Sequence, residues 1–349
     1  MNCAIEQWQS VQAKLKTLHI PVDDISWTLG EQGRDGEGSA SGKQVLRLVG
    51  GLDISFVKEQ GVEESGRDPA SSVMATASTH HQLAVAALIV LAFPGLEIVY
   101  EDYEEVEIAT PYVPGYLGFR EVPTYMSLIK RVLSTEFAPQ VILVDGCGML
   151  HPHGFGSACH LGVLSNLPTI GVAKNLLCID GLTKDKVIEG MRAMPEATRS
   201  GKSVDVDGRG PEQALESDNS GLTDNSPLRG QQVKNQVIEK GLFPKPPQTR
   251  SATHPKASTS PSQGLKRDLG SKGQSMPLIS SSGAVVGVAF RPGMAKNPIY
   301  ISVGHRIGLE VALDIVWHCC RHRVPEPIRQ ADIRSREYVR RKMIFACKS

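Results

Sequence analysis

An apolar run that ends in an acid, VILVDG, limits the folds open to this chain more than any other feature. Val141 to Val144 are four consecutive apolar residues, and Asp145 and Gly146 follow them directly. A short continuous apolar run is typical of a strand buried on both faces, as in parallel sheets. Because α/β proteins bind ligands at the carboxyl ends of such strands, the pattern predicts a functional edge at Asp145. An Asp-Gly pair that only forms a turn is the structural alternative.

The other apolar segments alternate between strand and helix patterns. Strand patterns cover residues 45–56, 86–93, 97–100, 141–145, 169–174, 284–290 and 298–303. Helix patterns cover residues 5–18, 124–133, 157–164, 309–320 and 330–342. Meandering strands followed by strand–helix alternation predict a mixed sheet with helices on its faces, in one α/β core.

The composition of the chain breaks sharply after the first part of the core, 1–198. Residues 199–275 contain a single aromatic residue, Phe243, and no cysteine. Such a segment buries too little apolar surface to offset the entropy lost on ordering. We therefore expect a low-complexity, disordered insertion at 199–275, followed by the rest of the core at 276–349. A second segment, 60–82, also lacks a helix or strand pattern, and we expect a long loop there.

Charge and cysteine usage narrow the class of protein. A net charge of +1 argues against a protein coated in positive charge, although a local basic patch stays open. The seven cysteines are odd in number and contain no C-x-x-C pair, which predicts reduced thiols inside the cell. The longest apolar run, 83–93, is too short to cross a bilayer. We expect a soluble protein of the cytoplasm and nucleus, the nucleolus included.

Three carboxylates from separate segments are candidates for chemistry. Asp53 stands inside the strand pattern VGGLDISF, where a charge is costly unless it is paired or bound to a cation. Glu121 lies at a predicted helix entrance, and Asp145 ends the buried strand. Together they form an oxygen-rich site suited to Mg²⁺ or Mn²⁺, ions that assist phosphodiester cleavage. Lys174, at the end of the GVAK strand, adds a positive charge.

Each of these residues also has a structural interpretation when it is taken alone. Asp53 could be a structural acid that pairs with an arginine. A glutamate in the first turn of a helix, such as Glu121, usually stabilises the helix dipole. Lys174 could be a solvent-exposed lysine at the end of a strand. The case for chemistry therefore depends on whether the fold brings the set together.

The segment PYVPGYLGFRE, residues 111–121, predicts a stiff aromatic loop. Two prolines flank Tyr112 and its neighbour, which restricts the backbone there. Beside a metal site, a rigid tyrosine could stack on a base or fill the gap left by a displaced one. A tyrosine that packs on the surface is the structural alternative.

A zinc site would have to use a second group of residues, His151, His153, Cys159 and His160. The H-x-H and C-H spacings match no standard zinc pattern, and adjacent residues on a helix cannot easily point at one ion. The chain also lacks G-x-G-x-x-G, a P-loop and G-x-S-x-G. These patterns favour an oxygen-ligated ion over zinc or a nucleotide cofactor.

Several long motifs, in this order, resemble the endonuclease V family and its animal branch in particular. They are GGLDISF, PYVPGYLGFRE, VDGCGMLHPHGFGSACHLGV, GVAK, YISVGHRIGLE and PEPIRQADIRSRE. The resemblance covers residues 5–60, 84–198 and 276–342. It implies a fold similar to ribonuclease H, so the predicted fold class is an α/β, ribonuclease H-like mixed sheet flanked by helices, with a long disordered insertion.

The resemblance implies an endonuclease that cleaves the second phosphodiester bond on the 3′ side of inosine, leaving 3′-hydroxyl and 5′-phosphate ends. The animal-type match implies single-stranded, inosine-containing RNA as the main substrate, with deoxyinosine in DNA as a further one. Mg²⁺ is the implied cofactor, with Mn²⁺ as its substitute, and we expect a monomer with no membrane partner. Two alternatives stay open: an inosine-RNA binding protein that has lost turnover, and a DNA repair enzyme for deaminated adenine.

The resemblance also implies roles for single residues at the reacting phosphate. Asp53, Glu121 and Asp145 would bind the metal, and His305 of SVGHR would complete that metal site or support it. Lys174 would position water or phosphate.

Further residues are implied at the nucleic acid. Tyr112 would be the wedge that fills the space of the displaced base, His151 would touch the nucleic-acid backbone, and Asp332 would support the site. Backbone groups with little side-chain bulk nearby would read the hypoxanthine edge. The positions concerned are Gly115, Leu117, Gly146 and Gly148.

Overall fold

Strands and helices alternate along the chain much as the sequence patterns predict. The computed structural model describes residues 2–30, 44–57, 82–193, 267–268, 273–293 and 295–346. Most of the predicted insertion and of the predicted loop at 60–82 lies outside these ranges. A strand already begins at Gly273, ahead of the predicted boundary at 276.

The described residues contain six helices and eleven strands. The helices are α1 Asn2–Lys16, α2 Leu117–Val132, α3 Ser157–Ser165, α4 Lys184–Arg192, α5 Leu309–Cys319 and α6 Glu326–Ala346. The strands are β1 Trp27–Thr28, β2 Gln44–Val45, β3 Leu48–Phe56, β4 Gln82–Ala92, β5 Ile98–Ile108, β6 Val141–Asp145, β7 Thr169–Ala173, β8 Arg267–Asp268, β9 Gly273–Ile279, β10 Val285–Pro292 and β11 Ile299–His305.

Nine of the described strands form one mixed sheet in the order β5-β4-β3-β6-β7-β11-β10-β9-β8. Strand β6 lies between β3 and β7 and runs parallel to both, whereas the other pairs in this sheet are antiparallel. Residues Val141 to Val144 are fully buried, which explains the continuous apolar run. The predicted mixed sheet flanked by helices is confirmed.

Helices cover both faces of the sheet. Helices α2 and α3 pack with Leu52 and Val144 on one face, and α5 and α6 pack with Val49 and Leu143 on the other. Helix α6 crosses β3 so closely that a Cβ at Gly51 would collide with the backbone of Pro327. Within the described ranges, no helix is long and apolar enough to span a membrane.

Helix α2 differs most from its prediction, because it begins at Leu117 rather than near Thr124. Pro123 lies inside the helix, where it removes one backbone hydrogen bond and would normally break the helix. Packing against the sheet outweighs this local cost, because one side of the helix is apolar and buried. The residues on that side are Val122, Tyr125, Leu128, Ile129 and Val132.

Candidate active site

Asp53 and Asp145 stand side by side at the carboxyl ends of β3 and β6. The two strands are parallel, and Leu52 pairs with Val144, so the two acids occupy the next position along each strand. Adjacent strands lie about 4.8 Å apart, and side chains alternate between faces. Since Leu52 and Val144 face α2 and α3, the two aspartates face α6. Their side chains share a hydrogen bond.

The pairing of the two aspartates changes the protonation of Asp53, which is only 7% exposed. Burial, followed by the charge of Asp145 and the hydrogen bond with it, raises the pKa of Asp53 to about 9. The positive charge of Lys174 acts in the opposite direction. At neutral pH the pair therefore holds one proton, unless a further cation neutralises it.

Lys174 supplies the positive charge nearest to this pair. Strand β7 pairs in parallel with β6, and Asp145 lies opposite Val172, so Lys174 follows just beyond the same edge. Its Nζ lies 2.6 Å from Oδ2 of Asp145. Burial lowers the pKa of Lys174, but the charge of Asp145 and the hydrogen bond with it raise the pKa above its usual value. The ammonium group therefore stays charged at neutral pH.

Glu121 approaches the same edge from the other face of the sheet, on α2. Its side chain is buried, and burial followed by the charge of Asp145 raises its pKa to about 8. Tyr125, one turn further along α2, is fully buried and experiences the charges of Glu121, Asp53 and Asp145. The three predicted carboxylates thus converge near the end of β6.

Asp332 on α6 belongs to this group of charges. The backbone of Pro327 abuts Gly51, and the Ser335 hydroxyl lies 2.7 Å from that of Ser55, so α6 follows β3 on both sides of Asp53. The charge of Asp332 acts on both Asp53 and Lys174. The structure therefore brings the predicted supporting residue to the carboxylates.

His305 lies elsewhere, contrary to the role that the resemblance implied for it. It pairs with Thr169, the first residue of β7, whereas Asp145 and Lys174 lie at the far end of that strand. At about 3.3 Å per residue, the length of β7 separates His305 from the carboxylates. Antiparallel pairing of β11 with β7 is the physical reason, because it carries the end of β11 to the opposite edge of the sheet.

The His305 ring has a structural role at that opposite edge. Its Nδ1 accepts a hydrogen bond of 3.2 Å from the backbone N–H of Ile20, and its ring centroid lies 6.0 Å from that of His19. Burial, then the charges of His19 and Arg306, lower the pKa of His305 to about 4. A neutral ring thus fastens the segment after α1 to the sheet.

The donor set at the acidic edge fits a hard divalent cation. As the side chains stand, no group of three His, Cys, Asp or Glu residues in the described part of the chain could already enclose a metal ion. Lys174 pairs with Asp145, and Asp53 hydrogen-bonds to the same carboxylate. All the converging ligands are nevertheless carboxylate oxygens, which Mg²⁺ and Mn²⁺ prefer. Burial, followed by the charge of Asp145, raises the pKa values of Asp53 and Glu121, and a bound cation would favour the ionised form of both.

The zinc alternative gains no support from the geometry. The thiol of Cys159 contacts the carbonyl oxygen of Val303 at 3.5 Å, and burial raises its pKa to about 12. The His160 ring packs edge-on against Phe119, with centroids 4.8 Å apart. Both side chains therefore serve the core.

The predicted aromatic loop is exposed at the start of α2. Tyr112 is 65% exposed, and it lies five residues before Leu117, where α2 begins. Gly115 has φ +84, a conformation that favours glycine, and a Cβ there would stand 3.4 Å from Cε1 of His153. Leu117 is the first residue of α2 and is partly buried.

Gly146 and Gly148 do not fit the predicted role of reading a base through their amides. The N–H of Gly146 donates to the carbonyl of Val172, and that of Gly148 donates to the Ser302 hydroxyl at 2.8 Å. A Cβ at Gly148 would collide with the carbonyl of Val303. Glycine is needed at 148 because β11 packs against the loop, and this buried position is closed to a ligand.

His151 is also less accessible than a residue in contact with the nucleic-acid backbone should be. It is 9% exposed, and its Nδ1 accepts a hydrogen bond of 3.2 Å from the N–H of His153. Burial, then the charges of His153 and Lys16, lower the pKa of His151 to about 4. The exposed ring in this loop is that of His153.

Arg323 is a residue at this site that sequence reasoning missed. Its guanidinium donates to the carbonyls of Lys174, of Pro298 at 2.8 Å and of Asn297 at 3.1 Å. It therefore fixes the backbone at Lys174. No local pattern identifies such an arginine, because its partners come from two other segments of the chain.

Known proteins resemble this chain over most of its length. A family model described as Endonuclease V matches residues 36–206 and 260–333. Endonuclease V of Mus musculus is 37% identical over 337 residues, which are 96% of this chain and 69% of that protein. Endonuclease V of Homo sapiens is 34% identical over 339 residues, which are 96% of this chain and 83% of that protein.

Solved structures agree with the sequence matches. The crystal structure of human ENDOV has a TM-score of 0.62 and 33% identity, covering 97% of this chain and 99% of that one. Ciona intestinalis endonuclease V, in complex with a 24mer DNA containing an inosine followed by a ribo-adenosine, has a TM-score of 0.60 and 26% identity. That match covers 98% of this chain and 99% of that one. This chain belongs to the endonuclease V family.

Proposed function

We propose that this protein is a Mg²⁺-dependent endonuclease that cleaves the second phosphodiester bond on the 3′ side of inosine in single-stranded RNA. One observation carries the proposal: Asp53 and Asp145 share a hydrogen bond at a sheet edge that also receives Glu121, Asp332 and Lys174. A concentration of buried and half-buried acids around one lysine is costly to a fold and is typical of functional sites.

Asp53, Glu121 and Asp145 would hold the ion, and Asp332 would support them from α6. When bound there, Mg²⁺ or Mn²⁺ would polarise a phosphoryl oxygen and lower the pKa of the attacking water. Burial is the main cause of the raised pKa of Asp53 and the charge of Asp145 is the next, so a bound cation would offset the repulsion within the pair and favour ionised Asp53.

Lys174 and Glu121 would act on the reacting groups. The charged ammonium of Lys174, held by Asp145, stabilises the negative charge that grows on the phosphate oxygens. Burial and the charge of Asp145 raise the pKa of Glu121 to about 8 in the ion-free protein, so Glu121 would be ionised only beside a bound cation. It would then accept the proton of the water that attacks phosphorus. The bond from phosphorus to O3′ would break and O3′ would take up a proton from solvent, which leaves the 3′-hydroxyl and 5′-phosphate ends.

The loop before α2 would select the base. Tyr112 is exposed on a loop with prolines at 111 and 114, as a rigid wedge for a displaced base requires. Hypoxanthine offers an N1–H donor and an O6 acceptor. The carbonyl of Gly115 and the N–H of Leu117, which as the first helical residue has no partner within α2, are matched to these two groups.

The choice of an inosine-containing strand is supported by the Ciona relative, whose complex holds DNA with an inosine followed by a ribo-adenosine. Two alternatives give different outcomes in one assay: an inosine-RNA binding protein without turnover, and a DNA repair enzyme for deaminated adenine. We expect the protein to act as a monomer in the cytoplasm and nucleus.

The test is cleavage of 5′-labelled single strands with one inosine at a fixed position, as RNA and as DNA, with adenosine strands as controls. We expect Mg²⁺-dependent product one nucleotide beyond inosine, faster with RNA. Cleavage of the DNA strand alone would favour the repair enzyme. Binding without any cleavage product in Mg²⁺ or Mn²⁺ would favour the inosine-RNA binding protein and would refute the proposal.

A further inference from the structure

Gln12 connects two loops that are far apart in sequence and meet beside α1. Its side chain is 7% exposed. Its Nε2 donates to the carbonyl of Gly115 at 3.3 Å and to that of Phe155 at 3.0 Å. Its Oε1 lies 2.9 Å from Nδ1 of His153. One buried amide thus joins the loop of Tyr112 to the loop 151–155.

The chemistry of these partners defines the orientation of the amide. Carbonyl oxygens only accept hydrogen bonds, so the NH₂ group of Gln12 must face Gly115 and Phe155. Its oxygen then faces His153, so Nδ1 of that ring must carry the hydrogen. In this tautomer, Nε2 carries none. Gln12 therefore selects one tautomer of an exposed histidine next to Gly115.

Other contacts make α1 a rigid support for this arrangement. Lys16, one turn after Gln12 on the same side of the helix, donates to the carbonyl of His153 at 2.7 Å. Trp8, one turn before it, stacks on Phe119 of α2 with ring centroids 5.5 Å apart. The His153 ring also lies 5.3 Å from that of Tyr116.

We propose that Gln12 is a positioning residue for base selection, which holds Gly115 and the His153 ring in the arrangement that receives the displaced base. The inference rests on the proposed function, because it assigns the support of the selecting loop. Gln12 makes none of these contacts with the carboxylates, so its removal should change recognition of the base and leave the metal requirement unchanged.

The variant Gln12→Met keeps the length and bulk of the side chain and removes all three hydrogen bonds. Gln9→Met is the matched control, because Gln9 is exposed on the same helix. Binding to inosine and adenosine strands is measured in EDTA, and cleavage is measured in Mg²⁺. We expect Gln12→Met to raise the Kd and KM for inosine strands by about 10-fold or more, since small misplacements in a site are costly. The Mg²⁺ concentration for half-maximal activity should not change.

A spectroscopic measurement separates positioning from stability alone. Nitrogen-15 NMR of His153 should show the Nδ1–H tautomer in the wild type and a mixture in Gln12→Met. His153→Ala removes an exposed ring and should also weaken inosine binding. Because both residues act in one arrangement, the double variant of Gln12→Met and His153→Ala should lose less binding than the sum of the two single losses.

Unchanged inosine selectivity in a folded Gln12→Met protein, or an unchanged tautomer, would overturn the inference. Additive losses in the double variant would overturn it as well. A wild type that binds inosine strands selectively but does not cleave would refute only the proposed function, since selectivity in EDTA still tests Gln12.

Discussion

The hydroxyl groups of Ser55 on β3 and Ser335 on α6 share a buried hydrogen bond of 2.7 Å. Ser55 lies two positions after Asp53 on the same face of the sheet, and Ser335 lies about one helical turn after Asp332. With the contact of Gly51 and Pro327, this bond fastens α6 on both sides of the acidic pair. The position of Asp332 therefore depends on a polar contact inside an apolar interface.

Loss of Ser335 alone should destabilise the protein more than loss of both serines. Ser335→Ala leaves the buried Ser55 hydroxyl without its partner, which costs roughly 1–3 kcal/mol, whereas the double variant removes both groups. Ser55→Ala should cost less, because the Ser335 hydroxyl still donates to the carbonyl of Asp332 at 3.1 Å. Urea unfolding of the four proteins measures this coupling. Additive losses would mean that the two hydroxyls do not act as a pair.

Asp53→Asn should abolish cleavage and yet stabilise the protein in metal-free buffer at pH 7 to 8. The pKa of Asp53 is raised above its unfolded value to about 9, so the folded state keeps a proton that the unfolded state releases, and stability falls as the pH rises from about 4 to 9. We expect a gain on the order of 1 kcal/mol at pH 8 that vanishes below pH 4. Thermal unfolding in EDTA across this range is the measurement, and equal stability of both proteins at pH 8 would contradict it.

Three buried histidines should make the fold sensitive to acid. The pKa values of His151, His160 and His305 are lowered to about 4, in each case mainly by burial. Each unfolded ring binds a proton near pH 6.5, so this contribution is complete above pH 6.5 and is lost as the pH falls towards 4. Each ring contributes a slope of about 1.4 kcal/mol per pH unit in that window.

A difference measurement isolates one of these rings, because the raised pKa values of Asp53 and Glu121 act in the opposite direction. The free energy of unfolding of His160→Gln should fall less steeply than that of the wild type between pH 6.5 and 4. The same slope in both proteins would show that His160 is protonated in the folded state.

Lys174→Met should reduce cleavage by about 10²- to 10³-fold through kcat, because it removes a charge directed at the transition state. Lys130 is exposed on α2, and Lys130→Met serves as the control of equal charge change. A rise in KM with normal kcat would instead assign Lys174 to uniform binding of the strand.

Tyr112→Ala should weaken the preference for inosine over adenosine strands without changing stability, since Tyr112 is 65% exposed. Tyr112→Trp keeps an aromatic ring and should retain the preference. The ratio of kcat/KM values for the two strands is the measurement. An alanine variant with the wild-type ratio would reject the wedge.

Local patterns predicted the central elements well, because burial on both faces leaves a direct mark on the sequence. The run 141–145 became β6 with the same bounds, and Asp145 stands at its end. The patterns missed α4 and placed the starts of α2 and α6 too late. Pro123 is a strong local signal for a helix start, and tertiary packing of the apolar side of α2 outweighed it.

The sequence by itself determined the family of this protein, the buried strands and the acids at or near their ends, since these depend on composition and order along the chain. Only the tertiary structure decided that His305 lies at the opposite ends of the strands, that Gly148 serves packing, that Asp332 lies near the carboxylates and that Gln12 contacts Gly115. The reason is physical. Strand direction and helix docking bring together residues that lie as far apart as Ser55 and Ser335, and neither is encoded in a local pattern.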